Sequence, residues 1–159
     1  MNRIAAAILA ATFVARTAHA EMSPGDARAA VAPFYRALNA EHASESAGLI
    51  RQVTAPEWVS CRGNDACNSR DEVIAGVAAR QKSVPDLKWQ IRDVQVAADQ
   101  VIVRGEATGT PSSEFFGAAH TGKSFKVMTI DMHTLRDGKM IRSYHIEDWM
   151  GAVRQLGPN

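Results

Sequence analysis

No run of lysines or arginines and no basic stripe with interleaved aromatics occurs in this sequence, so neither nucleic acid nor an anionic membrane surface is expected as a partner. Long apolar stretches are missing too. The run Ile4 to Val14 is too short to span a bilayer and is soon followed by Arg16. Cysteine is scarce: Cys61 and Cys67 stand alone, with no further thiol or imidazole nearby at ligand spacing, which argues against zinc. Repeats, low-complexity tracts and linkers are absent as well, so the chain reads as one domain.

What is present begins with a secretory pattern. Arg3, the apolar run and Ala18-His19-Ala20 supply the basic, apolar and small-x-small parts of a signal peptide. Residues 1–20 are therefore expected to be removed, the alternative being a retained amphipathic helix. Residues 21–159 would then work in the periplasm or outside the cell. The expected mature chain does not start with cysteine, so no lipid anchor is expected. Losing Arg3 and Arg16 from 18 basic residues, against 17 acidic ones, moves the formal net charge from +1 to −1. In an oxidising compartment the close pair Cys61 and Cys67 reads as a disulfide closing a small loop.

Ser23-Pro24 opens a first helix to about Asn39, although Pro33 threatens to kink it or delay its start. A second helix is expected from Ser44 to Val53, and a third from the capping box at Ser69-Arg70-Asp71-Glu72 to Ser83. Strands follow at Leu87–Ala97 and Val101–Thr110, and then a loop at Pro111–Gly122. A short helical tail, Gly151 to Leu156, closes the chain. Three helices before four antiparallel strands make an α+β fold. Helices on one face of a curved antiparallel sheet leave a cavity between the layers, the default place for a ligand.

The richest stretch is the hairpin that ends at Trp149. Asp137-Gly138 favours a two-residue turn with positive φ at both positions. Uninterrupted pairing from that turn sets His133 opposite Arg142, Asp131 opposite Tyr144 and Val127 opposite Asp148. Val127, Thr129, Asp131, His133, Arg142, Tyr144, Ile146 and Asp148 would then share the pocket face. Met128, Ile130, Met132, Ile141, Ser143, His145, Glu147 and Trp149 would lie outside. That apolar outer face is expected to pair two copies into a homodimer.

The order Pro85-Asp86-Leu87, Val101-Ile102-Val103-Arg104-Gly105, Thr108-Gly109-Thr110, Thr121-Gly122-Lys123, Asp137-Gly138-Lys139, Asp148 and Gln155-Leu156-Gly157 resembles the SnoaL-like polyketide cyclases, or ester cyclases. These belong to the nuclear transport factor 2-like, ketosteroid isomerase-like cone fold. The resemblance implies a cone that binds a polycyclic ketoester and closes a ring by intramolecular aldol condensation, without metal or organic cofactor. It places an acid/base carboxylate on the last strand and a histidine on the strand before, matching Asp148 and His133, with Asp131 two residues upstream. Two departures stand out: Tyr144 replaces a usual Trp, and the chain carries an export signal where antibiotic-pathway cyclases are cytoplasmic.

Aldol closure needs a base, an enolate stabiliser and an acid. A desolvated Asp148 suits the first and last roles, unless it pairs with a cation or caps the terminal helix. His133 would hold the enolate oxygen or orient Asp148, or else form a satisfied polar pair with Asp131, which sets its tautomer. Tyr144 and Arg142 are candidate oxyanion donors, or respectively a packing residue and a solvated rim residue. Tyr35, Trp58 and Phe116 are offered as substrate contacts. Asp131-x-His133 lacks a third metal ligand. The expected ligand is a small apolar carbonyl compound. An exported protein that holds such a ligand without reaction is the competing reading.

Overall fold

The computed structural model describes residues 22–157. The expected signal peptide, residues 1–20, lies outside the described residues. Helix α1 (Pro24–Leu38) starts where Ser23 accepts a hydrogen bond from the Asp26 amide, and it runs through Pro33 without interruption. Its Ala27, Val31, Phe34, Tyr35 and Ala37 are buried. At its C-terminal end, the Ala37 and Asn39 carbonyls accept from the buried Gln81 amide at 2.8 and 2.9 Å. Those are carbonyls that the end of a helix leaves without an internal partner. Helix α2 (Ser46–Val53) leads straight into strand β1 (Thr54–Cys61). Strand β2 (Cys67–Ser69) turns back along β1, and Ser69 and Glu72 close a full capping box that starts helix α3 (Arg70–Ser83).

Strands β3 (Lys88–Ala97), β4 (Gln100–Gly109), β5 (Phe125–Arg136) and β6 (Lys139–Glu147) follow, and helix α4 (Trp149–Leu156) ends the described chain. They form one six-stranded sheet in the order β2-β1-β6-β5-β4-β3. The α+β cone expected from the sequence is present. Its sheet is larger than four strands and is mixed, because β1 pairs with β6 in parallel. The ladder between β3 and β4 also shifts between Ile91 and Asp93. One buried cluster joins α1, α2 and Trp58 to Val101, Val103 and Met140, and a second gathers Phe115, Phe125, Val127 and Leu156.

The turn at Asp137-Gly138 adopts positive φ at both residues, 50° and 72°, and Arg136 faces Lys139 as expected. The register then departs from uninterrupted pairing. Leu135 faces Met140 but Thr134 faces Arg142, so Ile141 is an extra residue. Beyond such a bulge every side chain of the strand changes face relative to the partner. His133 therefore opposes Ser143, Asp131 opposes His145, and Thr129 opposes Glu147. Arg142, Tyr144 and Ile146, expected beside His133, instead alternate to the outer face with Met128 and Met132, all exposed or at the margin of exposure, although Ile146 also reaches the cavity mouth. The bulge avoids burying a guanidinium and delivers the Ser143 hydroxyl to two buried groups that need partners, Trp58 and His133.

Cys61 and Cys67 are joined, linking β1 to β2 at one end of their short ladder. For a sequence separation of 6, loop entropy gives a stabilisation of about 2 kcal/mol. Cys61→Ser/Cys67→Ser should be less stable than the parent by that amount in urea unfolding. A reductant should lower the melting midpoint of the parent and leave the double variant unmoved.

Candidate active site

A cavity of about 460 Å³ lies between α3 and the sheet. Its polar wall comes from the hairpin: Asp131 on β5, and Ser143, His145 and Glu147 on β6. Aliphatic side chains of α1 and α3, among them Leu38, Val73 and Val77, line it opposite, with Trp89, Phe116 and Trp149 completing the wall.

Below the polar wall runs a buried chain of hydrogen bonds. The Trp58 indole N–H donates to Ser143 Oγ at 2.9 Å. Ser143 Oγ lies 2.8 Å from His133 Nδ1, and His133 Nε2 lies 3.0 Å from the Tyr35 hydroxyl. His133 is fully buried. Burial, with His145 adding to it, lowers its pKa to about 3, so the ring is neutral. A neutral ring has one donor and one acceptor nitrogen. Ser143 and Tyr35 can each donate or accept, so they partner both ring nitrogens. Burial and then the Asp131 charge raise the Tyr35 pKa, so this phenol stays protonated.

Asp131 is buried, and its Oδ2 has no hydrogen-bond partner. Burial raises its pKa to about 7, against the pull of hydrogen bonding to Tyr35; the Glu147 charge pushes it further up and His145 draws it down. Across the ladder, His145 Nδ1 sits 2.8 Å from Glu147 Oε1, while Glu147 Oε2 accepts from the Trp149 indole at 3.1 Å. Burial works against a charge on His145. The hydrogen bond and charge of Glu147, with Asp131, outweigh it and raise its pKa. The arrangement sets a carboxyl poised near neutrality against an imidazole biased toward its cation, which is the pairing that acid/base work uses.

The structure brings together part of the expected set. Asp131 lines the cavity, with His133 and Tyr35 directly behind it, and Trp58 is buried one step further back. Phe116 stands on the wall, more than half exposed. Asp148 is displaced from the expected site: it is the N-cap of α4, accepts from the Gly151 amide at 2.7 Å, and has a half-exposed side chain 3.9 Å from Arg154. Arg142 and Tyr144 contact one another on the outer face, 3.2 Å apart. Ser143, His145, Glu147 and Trp149 are the cavity residues that the uninterrupted register places outside. Their alternation was visible in the chain. The extra residue at Ile141, which selects their face, carried no turn or glycine signal.

Residues 29–156 match the family model of the SnoaL-like polyketide cyclases. Among solved structures, IdmH of Streptomyces antibioticus, a candidate polyketide cyclase, is 26% identical with a TM-score of 0.71, over 83% of this chain and 99% of that one. A candidate SnoaL-like polyketide cyclase from Jannaschia sp. CCS1 shares the fold with a TM-score of 0.73 at 20% identity, over 89% of this chain and 99% of that one. TsrD of Streptomyces laurentii does so at 0.68 and 22%, over 82% of this chain and 96% of that one. No curated protein matches the sequence.

The two buried titrating groups give stability opposite dependences on pH. Asp131, raised from 3.8 to about 7, keeps its proton in the fold after the unfolded chain has lost it, so stability falls as pH rises through that window. His133, lowered from 6.5 to about 3, contributes stability that is complete above 6.5 and is lost as pH falls toward 3. Between these limits the slopes oppose. Asp131→Asn removes the first, so the variant should exceed the parent by a few kcal/mol at about pH 8 and lose stability steeply below about pH 6. Urea melts at about pH 4, 6 and 8 check both signs.

Proposed function

The chain belongs to the SnoaL-like polyketide cyclase family, and from that premise we propose that it catalyses proton transfer next to a carbonyl group in a small apolar compound. The observation that carries this reading is Asp131, a buried carboxyl on the cavity wall with an unpartnered oxygen and a pKa near neutrality. In the proposed reaction Asp131 removes the α-proton as base. His145, biased toward its cation by Glu147, stabilises the enolate oxygen. The enolate carbon attacks a second carbonyl of the same molecule, forming a C–C bond, and the resulting alkoxide takes the proton back from Asp131. Atoms balance without a co-reactant, and an isomerisation needs only that the proton return to a different carbon. His133 and Tyr35 are positioning residues here, since they reach the reacting atoms through Asp131.

The family binds small molecules, and among the described residues no helix is long and apolar enough to cross a membrane. The disulfide is compatible with an oxidising compartment, which supports the periplasmic or extracellular location proposed for the mature chain. The outer sheet face, with Met128, Met132, Tyr144 and Ile146, supports a homodimer in which each copy covers the other. Sedimentation at micromolar concentration should give a dimer, and a monomer removes that proposal.

Deuterium exchange in D₂O, followed by NMR over a panel of β-ketoesters and diketones, tests the chemistry. Asp131→Asn should slow exchange by about 10²–10⁴. Asp148→Ala should cost about 1 kcal/mol of stability through its lost cap and leave exchange intact. Exchange that survives Asp131→Asn, or that disappears with Asp148→Ala in a folded protein, overturns the assignment. Binding of panel compounds with no exchange at all favours a carrier.

A further inference from the structure

Arg80, in the last turn of α3, also lines the cavity. Its guanidinium carbon lies 5.1, 4.8 and 5.2 Å from the ring centroids of Phe115, Phe116 and Trp149. Three rings thus hold the group by cation–π contact, which leaves its N–H fork unconsumed. No ion pair or hydrogen bond joins that fork to another described residue. The site is desolvating enough to lower the Arg80 pKa, with Glu147 acting in the opposite sense.

Among the described residues, none of the carboxylates around the same cavity pairs with Arg80. Both Glu147 oxygens are occupied, by His145 and by Trp149. Glu72 accepts from the amide and the hydroxyl of Ser69 in the capping box. Asp131 sits on β5 with Tyr35 as its hydrogen-bonding neighbour. This half-buried guanidinium has no carboxylate at ion-pair distance among the described residues, and a charge in such a place is costly until it is paired. Arg62, exposed on the same cavity wall, adds a second positive charge.

We propose that the ligand of this cavity carries a free carboxylate, bound two-pronged by Arg80, together with an aromatic or polyene body and the reacting carbonyl. The substrate class is then an oxo acid, where the family resemblance alone implied a neutral ketoester. Planar carboxylates match the guanidinium fork, whereas an ester offers it only uncharged acceptors. The aliphatic wall and the rings that hold Arg80 would take the body. The proposal rests on the cavity being the substrate site of the reaction above, but it concerns recognition and is read by binding alone.

Titrations of the whole protein with 2-naphthoate, methyl 2-naphthoate and 2-naphthylmethanol, by calorimetry and tryptophan fluorescence, test it. The acid should bind at least about tenfold tighter than either neutral probe. Arg80→Met, which retains an unbranched stem, should erase that preference while leaving the ester within about threefold. Circular dichroism confirms the fold of the variant, and Arg62→Met serves as the control cation. Equal binding of all three probes, no binding of any, or an acid preference that persists in Arg80→Met and vanishes in Arg62→Met overturns the proposal. An intact acid preference in a protein that exchanges no α-proton would sink only the proposed reaction.

Discussion

The neutrality of one buried imidazole organises much of this structure. His133 reaches no solvent, so both ring nitrogens must be partnered from within the protein, and they are, by Ser143 and Tyr35. Those partners, with Trp58, come from α1, β1 and β6 and meet on a residue of β5. Two N-terminal elements and the late hairpin are thereby fixed against one another by directional bonds as well as by packing. Phe34 reinforces the junction, with its ring edge-on to Trp58, Tyr35 and His133. Had Ser143 pointed outward, Trp58 and His133 would each have lost a partner in the core, at a cost of about 1–3 kcal/mol apiece.

That requirement ties the core to the cavity. Selecting Ser143 for the inner face also selects His145 and Glu147, since residues two and four positions on share its side of the strand. One extra residue thus sets both the satisfaction of buried polar groups and the polar wall of the pocket. The wall is electrically mixed: a carboxyl that burial drives toward its neutral form faces an imidazole that its neighbours drive toward its charged form. Neither state would persist in water. Both depend on the enclosure supplied by α3 and the aromatic cluster.

Local chemistry in the sequence made a good share of this legible. Ser23-Pro24, the Ser69–Glu72 box, the Asp137-Gly138 turn and the Cys61/Cys67 pair are written in adjacent residues, and each appears where expected. Asp131 and His133 were recognisable as polar groups on an otherwise apolar strand face. The register of β6 was not legible, because a bulge at an isoleucine is decided by partners 80 or more residues away, such as Trp58 with Ser143 at a separation of 85. The error spread as alternation dictates: Arg142, Tyr144 and Asp148 were assigned to the pocket in place of Ser143, His145 and Glu147. Asp148 is instructive, because its role as a helix cap was written beside it in Gly151 and the following helix. The parallel docking of β1 on β6 was hidden for the same reason, since nothing within Thr54–Cys61 names its neighbour.

The two outer strands of the sheet have one further consequence. An open sheet offers unpaired amides and carbonyls along each margin, and a second chain can add to them and extend the sheet without limit. On one margin β2 is only three residues long and is bolted to β1 through Cys67. On the other, the ladder of β3 is broken at Arg92, a charged residue in the middle of the strand. A stub and a dislocation leave little straight template for fibril growth. Such blunted margins keep one folded copy from adding itself to the sheet of the next.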